Sequence, residues 1–137
     1  MFVDSNLYTK ECPILWDVDV LVIGGGSAGT AASIAAARQG AEVALVDRAA
    51  YLGGTGTSVL DTFYGFYCPG DAQRKVVGGI PDEIVARLNE RGAAIERSNT
   101  YGAGTGITYD PELLKVIWEE LATLAGVRIL LDRKSVV

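Results

Sequence analysis

The chain has 137 residues, 49% hydrophobic and 21% charged, enough apolar content to bury the core of one domain. Seventeen acidic against twelve basic residues leave a net charge of −5, which excludes the counterion release that drives nucleic-acid binding. Histidine is absent, so an imidazole general base, an imidazole zinc ligand and a histidine-dependent triad are all excluded within this chain.

Residues 1–17 have no basic start, no long apolar run and no small-residue cleavage pattern. They read as an N-terminal extension and not as a signal peptide. Val18 to Ile23 is β-branched and almost wholly apolar after Asp19, the pattern of a strand buried on both faces. The uncharged stretch from Val20 to Ala37 reaches membrane-span length, but Gly24 to Gly26 would break it as a helix. A soluble, cytoplasmic protein with no membrane partner is expected. Ser27 to Gln39 is rich in small, helix-tolerant residues and stops at Gly40. Ala41 to Val46 is a second short strand that closes with Asp47. Strand, helix and strand together have the size of one βαβ unit.

Residues 48–79 change character, with recurrent glycines and the aromatic residues Tyr51, Phe63, Tyr64, Phe66 and Tyr67. They read as an irregular loop, of a length that goes with a binding role. Pro81 to Arg91 has helical periodicity, with Ile80, Ile84, Val85 and Leu88 on one face and Gly92 beyond its end. Residues 98–109 read as another Gly/Thr loop. Asp110 as N-cap and Pro111 at the first helical position then open a helix. Its apolar stripe is Leu113, Leu114, Ile117, Leu121 and Leu124; Gly126 ends it, and Val127 to Leu131 is a third strand. Cys12 and Cys68 are too few for a disulfide framework and read as free thiols. The fold class is therefore α/β, a Rossmann-like βαβ unit with a parallel sheet. Residues 18–137 form the domain, with residues 48–109 as a loop insertion. Three strands are fewer than a complete doubly wound sheet has, so the chain reads as part of a longer one.

The segment VLVIGGGSAGTAASIAAARQGAEVALVD contains Gly24-x-Gly26-x-x-Gly29. Alone this spacing is weak in a chain with 17 glycines, but a strand precedes it and a helix follows, as the mechanism demands. Gly24 makes the tight turn, Gly26 lets a pyrophosphate approach the backbone and helix N-terminus, and Gly29 lets the helix pack closely. Asp47, at the end of the second strand, is placed to accept hydrogen bonds from ribose hydroxyls. An acid there opposes a 2′-phosphate, so the ligand reads as FAD or NAD in preference to NADP.

Two alanines after Asp47-Arg48 comes Tyr51-Leu52-Gly53-Gly54-Thr55-Gly56-Thr57. Here the sequence resembles the FAD-dependent oxidoreductases of the glutathione-reductase-like two-dinucleotide-binding superfamily, in the branch related to fumarate reductase flavoproteins. That branch carries a basic residue after the acid and then a Leu-Gly-Gly-x-x-Thr loop. The segments VVGGIPDEIVARLNERGAA and YDPELLKVIWEELATLAGVRILL also resemble its later helices, so the likeness spans about residues 18–131. The resemblance implies that Gly24, Gly25, Gly26, Ser27, Ala28 and Gly29 surround the FAD pyrophosphate, and that Asp47, with Arg48 beside it, meets the adenosine ribose. It implies that Gly53, Gly54, Thr55 and Thr57 line the path towards the flavin. Ser33 replaces the usual alanine of the first helix. The family's Ala-Thr-Gly strand end, Gly-Asp segment and substrate-capping domain are not in this sequence. The resemblance therefore implies the N-terminal FAD-binding part of an enzyme that moves electrons between a small organic substrate and noncovalent FAD, inactive alone. Two alternatives stay open: a non-catalytic dinucleotide-binding subunit completed by another chain or a further copy, and an NAD-binding dehydrogenase domain. No catalytic residue is assigned, and no metal is expected. Cys68 is a candidate redox thiol only if a partner thiol exists, and no CxxC is present.

Overall fold

A computed structural model describes residues 13–59, 63–65, 74–97 and 106–133. Cys12, Phe66, Tyr67 and Cys68 lie outside the described residues. Strand β1 (Val20–Ile23) leads through the glycine triplet into helix α1 (Ser27–Arg38), and β2 (Val43–Val46) follows. A four-residue helix α2 (Thr55–Ser58) and strand β3 (Phe63–Gly65) come next, then α3 (Ile80–Glu90), β4 (Ala94–Arg97) and β5 (Gly106–Tyr109). Helix α4 (Pro111–Leu124) and strand β6 (Arg128–Leu130) complete the order.

Among the described residues, two three-stranded sheets form. The first has the order β1-β2-β6 and is parallel throughout, with Val20 opposite Val43, Val22 opposite Leu45, and Leu45 opposite Ile129. This is the expected α/β architecture. The second, β3-β5-β4, is antiparallel, with Ile107 opposite Tyr64 on one side and Glu96 on the other.

The periodicities explain which faces are covered. Register puts Val20, Val22, Val43, Leu45 and Ile129 on one face of the parallel sheet, and all of them belong to or pack against the core. The i, i+3, i+4 stripe of α4 supplies Leu114, Ile117, Trp118 and Leu121, each no more than 2% exposed. Ile84 and Leu88 of α3 and Ile34 of α1 meet them there. Each such side chain contributes about 1.5–3 kcal/mol by leaving water. The opposite face of β1 presents Leu21 and Ile23, which stay 58% and 72% exposed. The expectation of a strand buried on both faces fails there: β1 is covered from one side among the described residues.

Helix ends follow the sequence signals. Asp110 Oδ1 accepts from the N–H groups of Glu112 and Leu113, as an N-cap carboxylate should. Gly40, Gly92 and Gly126 adopt φ of +92°, +66° and +88° just past α1, α3 and α4.

The Gly/Thr stretch differs from its expectation. Residues 106–109 form strand β5, because Ile107, Thr108 and Tyr109 are β-prone and gain partners on both edges. Strand β4, not expected from the sequence, exists because β5 pairs with it along one edge. The 48–109 segment thus carries the antiparallel sheet and α3. Short α2 and β3 likewise punctuate residues expected to be irregular.

Candidate cofactor site

The site forms where β1 and β2 deliver their C-terminal ends. Gly24, at φ +106°, turns the chain out of β1 while its N–H donates to Val46 O at 2.8 Å. The next N–H, on Gly25, donates to Asp47 Oδ2, and Asp47 Oδ1 accepts from Ala49 N at 2.7 Å. The carboxylate at the end of β2 therefore holds both its own turn and the glycine turn of β1, with lone pairs left over for a ligand.

A second set of bonds joins the two glycine loops. Gly25 O accepts from Thr30 Oγ1 at 2.9 Å and from Gly53 N at 2.8 Å, and Gly26 and Gly53 form an isolated parallel bridge. Ser27 Oγ donates to Gly53 O at 3.0 Å. Gly54, at φ +59°, lies so close that a Cβ there would sit 2.8 Å from Gly26 Cα. Buried Thr57 donates its hydroxyl to Leu52 O at 2.9 Å, and a Cβ on Gly53 would meet Thr57 and the Trp118 ring. Leu52 is itself fully buried against the core.

The expected site residues thus divide by what surrounds them. Gly24 and Gly26 face open space, since a Cβ on either would meet nothing within 4 Å. Gly25, Gly29 and Gly53 face inwards: a Cβ on Gly29 would collide with Gly24 O, and one on Gly25 would lie 2.5 Å from Leu52 Cδ2. Thr57 points into the protein, whereas Ala28, Arg48 and Thr55 are exposed. Ser33 is buried, and its hydroxyl donates to Thr30 O at 2.8 Å. Sequence reasoning missed Thr30, whose hydroxyl bond to Gly25 O is invisible in a run of small helix residues.

Gly26 is the N-cap of α1, has no side chain with which to cap it, and no acidic residue stands in the first turn. The leading N–H groups and positive dipole end of a twelve-residue helix are therefore open to an anion. Two hollows flank Asp47 and Arg48. One, of about 290 Å³, includes Tyr51, Gly54, Thr55 and Ser58. The other, of about 170 Å³, includes Ile23, Gly24, Val46 and Arg133. Lys115 Nζ stands 4.2 Å over the Tyr51 ring and pairs with Glu112 at 2.6 Å, fixing that aromatic wall from α4. A larger hollow of about 470 Å³ on the outer side of α4, lined by Val116, Glu119, Thr123 and Leu124, contains none of the expected site residues.

The family model for FAD dependent oxidoreductase matches residues 19–136. The chain belongs to that family. Its cofactor is FAD, and the open glycines, the acid-free helix start and the carboxylate beside them fit a dinucleotide of that kind. Aklavinone 12-hydroxylase DnrF of Streptomyces peucetius is 44% identical over 77 residues, which cover 56% of this chain and 14% of the hydroxylase. The chain thus matches only a small part of that curated relative's length. Among solved structures, an open-form flavocytochrome c3 fumarate reductase is 25% identical with a TM-score of 0.50, over 84% of this chain and 26% of that one. A geranylgeranyl bacteriochlorophyll reductase-like protein of Thermoplasma acidophilum is 18% identical with a TM-score of 0.53, over 84% and 30% of the two chains. That second likeness is one of fold. No helix among the described residues is long and apolar enough to cross a membrane.

Proposed function

We propose that residues 18–137 are the FAD-binding segment of a cytoplasmic flavoenzyme of the fumarate-reductase-related branch, and that the whole protein oxidises or reduces a small organic substrate. The observation that carries this reading is the bridge between Gly26 and Gly53 at the open end of α1. It joins the fingerprint loop, common to many dinucleotide binders, to the Leu52-Gly53-Gly54-Thr55 loop on which the flavin resemblance rests. The 25% identity with the fumarate reductase supports the choice of branch.

When bound, FAD supplies the electron-accepting and electron-donating ring. The chain's own residues supply position. The N-terminus of α1, with Gly24, Gly26, Ser27 and Ala28, holds the pyrophosphate through backbone N–H groups. Gly25, Gly29 and Gly53 allow the loops to come close enough to form that cradle. Asp47 accepts from the adenosine ribose, with Arg48 alongside. Gly54 and Thr55 line the way towards the flavin, and Thr57 holds their turn from beneath. This sequence has no histidine for a histidyl-linked flavin, so FAD is held noncovalently unless Cys68 forms the link.

The test is a visible absorption spectrum of the 137-residue chain after incubation with FAD and desalting. Flavin bands near one equivalent are the expected outcome. A colourless protein that also fails to quench free-flavin fluorescence overturns the reading for this segment.

A further inference from the structure

Most polar groups of the first glycine loop are engaged, and the bonds single out one peptide. The Gly24 and Gly25 N–H groups donate to Val46 O and to the Asp47 carboxylate, both on the β2 side. The next two carbonyls belong to Thr30: its N–H donates to Gly26 O and its hydroxyl to Gly25 O, each at 2.9 Å. Gly53 N donates to Gly25 O as well, at 2.8 Å, so both lone pairs of that carbonyl are used. Thr30 is fully buried, and its own carbonyl accepts from Ser33. The Gly26 N–H has no partner among the described residues.

A trans peptide is planar, with its C=O and N–H directed to opposite sides, and none of the described peptides is cis. Two bonds on Gly25 O therefore turn the Gly26 N–H away from Thr30 and Gly53. The peptide between Gly25 and Gly26 has no Cβ on either flank, so a flip meets little steric resistance. What opposes the flip is the pair of bonds to its carbonyl. A helical threonine ordinarily bonds a carbonyl three or four residues back. Thr30 reaches five back, to a carbonyl outside α1. We infer that Thr30 is a positioning residue of the cofactor site, whose hydroxyl locks the Gly25–Gly26 peptide with the Gly26 N–H towards the pyrophosphate. This rests on the dinucleotide reading above. Thr30 itself touches no ligand. It keeps the donor-out arrangement populated, whereas a flipped peptide would turn a carbonyl oxygen towards the phosphates.

The experiment uses the 137-residue chain as wild type, Thr30→Val and Thr30→Ser. Dissociation constants are measured for FAD and inorganic pyrophosphate, and the Gly26 amide is followed in proton–nitrogen correlation spectra during the pyrophosphate titration. Far-UV circular dichroism confirms that each variant is folded; should valine prevent folding, Thr30→Ala against Thr30→Ser makes the same comparison. Thr30→Val keeps the side chain's shape without its hydroxyl and is expected to weaken both ligands by the same factor, about fivefold. It is also expected to remove most of the downfield shift that pyrophosphate produces at the Gly26 amide of the wild type. Thr30→Ser is expected to restore affinity and shift. A Thr30→Val protein that is less stable but binds and shifts as the wild type does overturns the inference, since Thr30 then only packs. So does a loss that serine leaves unrepaired, or one with the Gly26 shift intact. Wild-type protein that binds pyrophosphate but not FAD, with weaker binding in Thr30→Val, supports the inference and overturns the flavin reading. Wild-type protein that binds neither overturns both.

Discussion

Gly26 and Gly29 belong to one sequence motif but differ in what surrounds them, and substitution separates the two roles. Gly26 has φ −66° and ψ 174°, a conformation open to any residue, and a Cβ there meets only open space. Gly26→Ala is therefore expected to leave the thermal midpoint unchanged while weakening FAD, because the added methyl occupies the pyrophosphate's approach. Gly29→Ala drives a Cβ into Gly24 O and is expected to cost about 1–3 kcal/mol of stability even without ligand. Thermal unfolding and FAD titration of both variants check this; equal destabilisation would show that Gly26 also serves packing. Asp47→Ala removes a charge-assisted acceptor from the ribose and is expected to weaken FAD by roughly 1.5–3 kcal/mol. It also frees the Gly25 and Ala49 N–H groups, so a fall in stability without ligand accompanies the loss. Fluorescence titration gives the first effect and denaturant melts the second. The spacing of Gly24, Gly26, Gly29 and Asp47 made the strand, glycine turn, helix and carboxylate of the proposed cradle legible in the sequence. The inward direction of Thr57 was not legible, because a threonine beside glycines reads equally as a ligand donor or as a turn-holding hydroxyl, and only tertiary packing decides.

At the scale of elements, the helices are tied to one another by ion pairs over an apolar seam. Arg38 of α1 grips Glu83 of α3 in two bonds of 2.6 and 2.8 Å, and Glu120 of α4 accepts from Arg91, just past the end of α3, at 2.7 Å. The hydrogen bonds from Arg38 hold the Glu83 carboxyl below its ordinary value of 4.5. Lys75, with the Gly79 N–H, does the same for Asp82, whose ordinary value is 3.8. Both carboxyls are lowered on folding, so the stability they contribute is present above the unfolded values and is lost as the pH falls through the lowered ones. Each pair is well exposed, and solvent screening limits it to at most about 1 kcal/mol. The thermal midpoint is expected to hold from neutrality to about pH 5 and to fall between about pH 5 and pH 3, with a shallower fall in Glu83→Gln. An unchanged slope in that variant would show that the α1–α3 pair adds nothing. Helices α1, α3 and α4 were legible because caps and periodicity are local. Strands β4 and β5 were not, since Ala94–Arg97 shows no clear apolar alternation and Gly106–Tyr109 sits at the end of a glycine-rich run. What makes them strands is their pairing with each other and, for β5, with β3, a contact between segments far apart in the chain.

For the molecule as a whole, the site is a junction between segments that the sequence separates widely. Residues 24–30, 47–57 and 132–133 meet there, tied by Gly53 N to Gly25 O, Ser27 Oγ to Gly53 O and Arg133 N to Asp47 O. Behind the junction, Leu52 and Trp118 join it to the core, so the second glycine loop cannot leave its place without exposing buried apolar surface. A ligand that spans these segments binds the folded chain and not the unfolded one, and so stabilises the entire domain by mass action. At 100 times its dissociation constant, FAD is expected to add about 2.7 kcal/mol, which for a domain of this size raises the thermal midpoint by several degrees. FMN, which lacks the adenosine and one phosphate, engages only part of the junction and is expected to give a much smaller rise at the same concentration. Differential scanning fluorimetry with FAD, FMN and ADP makes the comparison. In Trp118→Ala, loss of the ring behind Gly53 is expected to cost about 3–5 kcal/mol of stability. It also weakens FAD, since the second loop loses its support although no ligand contact has been removed. If FAD affinity in the still-folded fraction of Trp118→Ala equals that of the wild type, the second loop is held by its bonds to Gly25 and Ser27 alone, and the core plays no part in shaping the cradle.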